Sequence, residues 1–214
     1  FFSRARWSVD AVGEVLFRLL LPLLDKRVFA VVDDTLCHKT GPKIFGAGMH
    51  FDGSKSSYQH GSPSRAKFIS YGHSWVKLAV WLPVPFGVQR GFAIPVLFRL
   101  YRSKKLSPAA EYRKRTELAG DLLDLVVHWL PADRRLTVLG DGEYACSTVV
   151  QRLPRDVTFV GPVCKDAALY AQPNHVPGKR GRKPIRGDRL PTPSALASDE
   201  THPWVPLTAK IYGR

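Results

Sequence analysis

Two acids stand side by side at the end of an apolar run: Asp33 and Asp34 close "VFAVVDD". A third, Asp141, closes another such run, "LTVLGD", and glycine follows it. Successive side chains of a strand point to opposite faces, so Asp33 and Asp34 cannot both look into one site. One of them can meet a ligand while its neighbour bonds backbone or water. Capping the next turn is the ordinary alternative for an aspartate in this place. If the two strands are neighbours, a carboxylate from each lands at one edge of a sheet, where open α/β sheets bind ligands. Paired carboxylates repel each other and resist losing water, and a cation between them relieves both. All-oxygen ligation selects Mg²⁺ or Mn²⁺ over zinc. Two such ions roughly 3.5–4 Å apart support in-line phosphoryl displacement, acting on the attacking and the leaving oxygen. Glu143 falls in the turn after Asp141 and reads as a surface or capping acid.

Hydrophobic periodicity outlines the elements that must hold these acids. Residues 28–34 are continuously apolar up to the acids, as in a central strand covered on both faces. Before it, residues 8–25 read as a helix capped by Ser8, with Val12, Val15, Leu16, Leu19 and Leu23 as its stripe and Pro22 near its end. Residues 40–70, rich in Gly, Ser and Lys, read as a long loop. Strands at 73–82 and 91–101 flank a Pro/Gly turn and predict an antiparallel hairpin. Trp75 and Trp81 share one face of that hairpin and read as core. A helix over 109–130 carries Leu118, Leu122, Leu125 and Trp129 on one stripe, widened by Val126. A strand at 135–141, a short helix at 146–153 and a strand at 157–163 follow. "WVPLTAKIYGR" reads as a further strand beginning. The expected fold class is α/β, a ribonuclease-H-like mixed sheet flanked by helices.

The formal net charge is +14, from 32 Lys and Arg against 18 Asp and Glu, which favours a polyanionic partner such as nucleic acid. Lys179, Arg180, Arg182, Lys183 and Arg186 crowd one Gly/Pro-rich stretch and suit DNA phosphates or a minor groove. Lys39 and Lys43 follow the first acids and could hold phosphates near the metals. Cys37, Cys146 and Cys164 form no C-x-x-C pair, which argues against a disulfide framework or a zinc site. The apolar run at 15–24 is too short to span a bilayer, which takes about 20 residues, and no signal peptide pattern is present. The only methionine is Met49, so the chain reads as a piece of a longer protein.

The segments "VVDDTLCHKTGPKIFGAG", "YGHSWVKLAVWL", "LGDGEYA", "VTFVGPVCKDAAL" and "GKRGRKPIRGDRL" together resemble bacterial insertion-sequence transposases with a DDE catalytic domain, the DDE superfamily endonuclease group. The likeness runs over about residues 1–214. It implies a ribonuclease-H-like core, two Mg²⁺ or Mn²⁺ ions, DNA strand cleavage and strand transfer, and a homo-oligomer on element ends and target DNA. It also implies a cytoplasmic, nucleoid-associated protein. It assigns the first catalytic acid to Asp33, with Asp34 in reserve, and the second to Asp141. The third, a Glu on a helix after a β-rich insertion, has no counterpart here; Glu200 lies in a polar, Pro-flanked stretch and is not assigned. The implied layout is a helical segment (1–27), an incomplete DDE core (28–164) and the start of a basic insertion (165–214). The alternative from another class is a DNA-binding remnant without catalysis, and a weaker third option is a ribonuclease-H-like nuclease unrelated to transposition.

Overall fold

The computed structural model of the chain describes residues 7–41, 43–55, 68–84, 90–174, 178, 181–201 and 205. The chain divides into two compact units, residues 1–161 and 162–214. The first holds a six-stranded mixed sheet. Its strands are β1 (Arg27–His38), β2 (Gly48–Phe51), β3 (Ile69–Pro83), β4 (Gly91–Tyr101), β5 (Arg135–Gly140) and β6 (Thr158–Val160). The main path runs β2-β3-β1-β5-β6, and β4 pairs with β3. β1 is antiparallel to β3 and parallel to β5, so it is the strand at which the sheet changes direction. The hairpin β3/β4 forms as the sequence indicates, with a bulge between Leu78 and Ala79.

Helices α1 (Val9–Leu20) and α2 (Arg115–Trp129) share one core with the sheet, and the short α3 (Ser147–Val150) adds Val149 to it. The side chains from the strands are Val28, Ala30 and Val32 of β1, Val76, Leu78 and Val80 of β3, and Leu136 and Val138 of β5. Each fully buried Val or Leu among them contributes about 1.5–3 kcal/mol relative to exposure. The opposite face of the sheet is open at Phe29, Trp81 and Phe98 among the described residues. The continuous apolar run of β1 therefore does not mean two-sided cover: its burial alternates, and Phe29 is 36% exposed. Trp75 and Trp81 lie on this open side rather than in the core, with Trp75 resting edge-on against Phe98 at 5.6 Å.

Ser8 caps α1 as expected, its Oγ accepting from the Ala11 N–H at 3.2 Å. The buried face of the helix differs from the expected stripe. Gly13, Phe17 and Leu20 face the core, whereas Val12, Val15 and Leu19 point outward, as does Leu23 just beyond the helix. The packed face follows a close approach: a Cβ at Gly13 would lie 2.5 Å from the Val96 carbonyl oxygen of β4. α2 is shorter than expected, because Glu117 bonds back to the Lys114 N–H at 2.8 Å and starts the helix there. The stretch read as a loop contains β2, and 56–67 of it lie outside the described residues. Buried Asp52 follows β2 and accepts from the Ser54 N–H, Ser54 Oγ and Ser70 Oγ, and it pairs with His38 Nε2 at 2.7 Å. That cluster fastens the far end of β1 to its neighbours. The strand expected from "WVPLTAKIYGR" lies outside the described residues apart from Val205.

In the second unit an antiparallel bridge joins Tyr170 to Arg189, and α4 (Pro193–Ala197) is capped by Thr192. No helix among the described residues is long and apolar enough to cross a membrane.

Candidate active site

The parallel register of β1 and β5 sets Val32 beside Gly140. Asp34 and Asp141 both follow just past that pair, on neighbouring strands. Strand alternation then separates the two early acids. Asp34 continues the covered face of Val28, Ala30 and Val32, and Asp33 the open face of Arg27 and Phe29. Asp33 is half exposed and lies 3.9 Å from Lys77 Nζ, its partner on β3.

Around Asp34 the structure gathers residues from three elements. Arg115 opens α2, with Nε 3.8 Å from Asp34 Oδ2 and Nη1 3.7 Å from Glu143 Oε2. Its Nε also donates to Ser74 Oγ at 3.3 Å, and its guanidinium stacks on the Tyr101 ring at 4.6 Å. Tyr144 is fully buried. Its hydroxyl donates to Asp34 Oδ1 at 3.4 Å, and its backbone N–H donates to Asp141 Oδ1 at 3.3 Å. The Glu143 N–H donates to the same Oδ1 at 3.0 Å. One tyrosine thus ties both strand-end acids, and the turn engages Oδ1 of Asp141. Gly140 makes the turn possible: a Cβ there would meet Phe159 Cζ at 2.9 Å and Tyr144 Cβ at 3.2 Å.

Burial raises the Asp34 carboxyl above the ordinary carboxylate range; Arg115 pulls it back down, while Asp33 and Asp141 push it further up. Burial also raises Glu143, against the pull of Arg115 and with the push of Asp34 and Asp141. Tyr144 is held protonated, chiefly by burial and then by Asp34. Three carboxylates therefore share one neighbourhood with a single guanidinium. This oxygen-only, charge-frustrated set fits a hard divalent cation, and Mg²⁺ is usually held by only one or two protein carboxylates together with substrate phosphate and water. Among the described residues no three His, Cys, Asp or Glu side chains form a metal-ligand group.

Of the residues singled out in the sequence, Asp34 and Asp141 come together here, and Asp33 faces the other side of the sheet. Lys39 and Lys43 are exposed after β1. Arg182, Lys183 and Arg186 are exposed in the second unit, where Arg186 lies 4.8 Å above the Tyr170 ring. Lys179 and Arg180 lie outside the described residues. Arg115 and Tyr144 were not foreseen. Their only sequence signals are a basic residue opening an amphipathic helix and an aromatic shortly after the strand-end acid. Glu143, read as a capping acid, lies among the charged groups.

A family model described as DDE superfamily endonuclease matches residues 1–209. No curated protein and no solved structure matches the chain. The mixed sheet with flanking helices is compatible with the ribonuclease-H-like fold of DDE domains, whose enzymes generally use divalent metals. With nearly the whole chain matched, the protein belongs to the DDE superfamily endonucleases, the transposase-type nuclease class.

Proposed function

We propose that the chain carries the catalytic carboxylates of a DNA transposase that cleaves DNA at the ends of an insertion element and joins the freed 3′ hydroxyl to target DNA. The observation that carries this reading is the tie between Asp34 and Asp141 through Tyr144 across the parallel β1/β5 pair. Asp34 and Asp141 hold Mg²⁺ or Mn²⁺, two ions in the complete site, and the cation supplies Lewis-acid activation and charge compensation. Asp33, the first acid of the family resemblance, acts on this reading as a neighbour that raises the charge density at Asp34. Arg115 balances the acids, and protonated Tyr144 holds Asp34 in one orientation. Lys39, Lys43 and the basic stretch from Lys179 to Arg186 hold DNA phosphates. The working enzyme assembles as a homo-oligomer on two element ends.

The test is nicking of supercoiled plasmid with Mg²⁺. Asp141→Asn in the full-length protein should abolish it, and nicking at the wild-type rate would overturn the assignment. A second reading, a DNA-binding remnant without catalysis, draws on the lack of a three-ligand group among the described residues. Glu200 lies exposed in a turn after α4 in the second unit. Salt-sensitive DNA binding without any metal-dependent cutting would select that reading.

A further inference from the structure

A small polar pocket opens beside the acids. It encloses about 230 Å³ and is lined by Tyr101, Tyr112, Lys114, Arg115, Thr116 and Glu143. Of its lining side chains two are cations, three carry hydroxyls and one is a carboxylate, so hydrogen-bond donors predominate. Arg115 lies on both the pocket and the acid cluster. It is at ion-pair rather than hydrogen-bond distance from Asp34 and Glu143, at 3.8 and 3.7 Å. A guanidinium carries five N–H donors. Ser74 Oγ accepts from the Arg115 Nε, and Glu143 engages its Nη1, which leaves further N–H groups of the fork to meet an anion. The guanidinium carbon lies 4.6 Å over the Tyr101 ring, which restrains the side chain, and an arginine so held can meet phosphate with two parallel bonds. Lys114 is anchored through its backbone to Glu117, and no acid among the described residues pairs with its ammonium group. Burial, then a hydrogen bond with Tyr112, raises the Tyr101 hydroxyl above its ordinary range, so the two phenols form one linked pair at the pocket.

We propose that this pocket binds one phosphate group of the DNA strand next to the bond to be cut, Lys114 and Arg115 meeting its non-bridging oxygens and Tyr112, linked to Tyr101, donating at its edge. The identity of the ligand rests on the nuclease reading. Glu143 marks the wall toward the catalytic acids, so the anion enters over Lys114. Neither Lys114 nor Tyr112 is among the groups that hold the acids, and substituting them separates phosphate binding from the chemistry.

The experiment measures the affinity of the chain for a fluorescent mixed-sequence DNA duplex in EDTA, from about 50 to about 200 mM salt. Losing one phosphate contact reduces the log–log salt slope by about 0.9, so the fall in affinity over that range shrinks about 3.5-fold. Lys114→Ala should show this loss and Lys114→Arg should restore the slope. Tyr112→Phe should weaken binding with the slope unchanged, and all three should melt as the wild type does. With Mg²⁺, Lys114→Ala should raise KM for nicking more than it lowers kcat. Wild-type affinity and slope in both Lys114→Ala and Tyr112→Phe overturn the proposal, as does failure of Lys114→Arg to restore the slope. Failure of the nuclease reading looks different: the wild type does not nick with Mg²⁺, yet the metal-free slopes still report on the pocket.

Discussion

Replacing each of the adjacent acids in turn separates them sharply. Among the described residues Asp33 pairs with Lys77, at 3.9 Å and with both side chains substantially in solvent, at 52% and 32% exposure. Such a pair is worth about 0–1 kcal/mol, so Asp33→Asn should change the nicking rate by less than about fivefold. Asp34 lies among Asp141, Glu143 and Arg115, where on the proposed reading a bound cation would stabilise the transition state by several kcal/mol. A loss of about 4 kcal/mol is about three decades in rate, the effect expected of Asp34→Asn. Stability moves the other way. The folded-state pKa of Asp34 lies above its unfolded value, so the folded chain binds that proton more tightly and loses stability as pH rises from about 4 through the folded pKa. The neutral amide that replaces the carboxylate carries no such penalty. Without metal at pH 7 the variant should therefore melt no lower than the wild type, which excludes unfolding as the cause of inactivity. Plasmid nicking with Mg²⁺, run beside thermal melts in EDTA, measures both. A loss of three decades in Asp33→Asn with Asp34→Asn near wild type would refute this assignment of faces.

Three further outcomes follow from the packing. A Cβ at Gly120 would fall 2.4 Å from Arg152 Nη1, so Gly120→Ala must displace the arginine from Asp121 and Asp124. The helix gain of about 1 kcal/mol should then be cancelled in the wild type and recovered in an Arg152→Ala background, a non-additivity that urea titration of the four chains reads out. Hydrogen bonds from Ser54, Ser70 and His38 hold the Asp52 carboxyl below the ordinary range. Its contribution is full above about pH 4 and disappears as pH falls toward the folded value, so Asp52→Asn should flatten the acid side of the melting curve. Gly140→Ala should push Phe159 and Tyr144 apart, cutting nicking about tenfold or more at unchanged DNA affinity, as misplaced catalytic groups do.

The strands and the long helix were legible from hydrophobicity: α2 has a helical period, and β1, β3, β4 and β5 are apolar runs bounded by acids or turn residues. α1 shows where that signal misleads: its branched apolar residues form the more conspicuous stripe, yet the packed face is chosen by Gly13, which lets β4 approach. β2 escaped notice because four residues in a Gly-rich stretch carry too little pattern. At the site, the strand-end position of Asp141 and of the early acid pair could be read directly. Which early acid faces the helices could not, since "VFAVV" is apolar at every position and hides the parity of the strand. Arg115 and Tyr144 reach Asp34 only through tertiary packing, and no local pattern encodes that meeting.

The adjacency of β1 and β5 also sets an order of events for a chain being made. Parallel pairing between segments this far apart is a slow, late step, because a long loop must close before any contact rewards it. A nascent polypeptide that has not yet emerged past Asp141 holds one half of the carboxylate pair, with nothing opposite to complete it. On the reading proposed above, cutting competence arrives only with the closed sheet, and a partly synthesised or misregistered chain is harmless to the DNA around it.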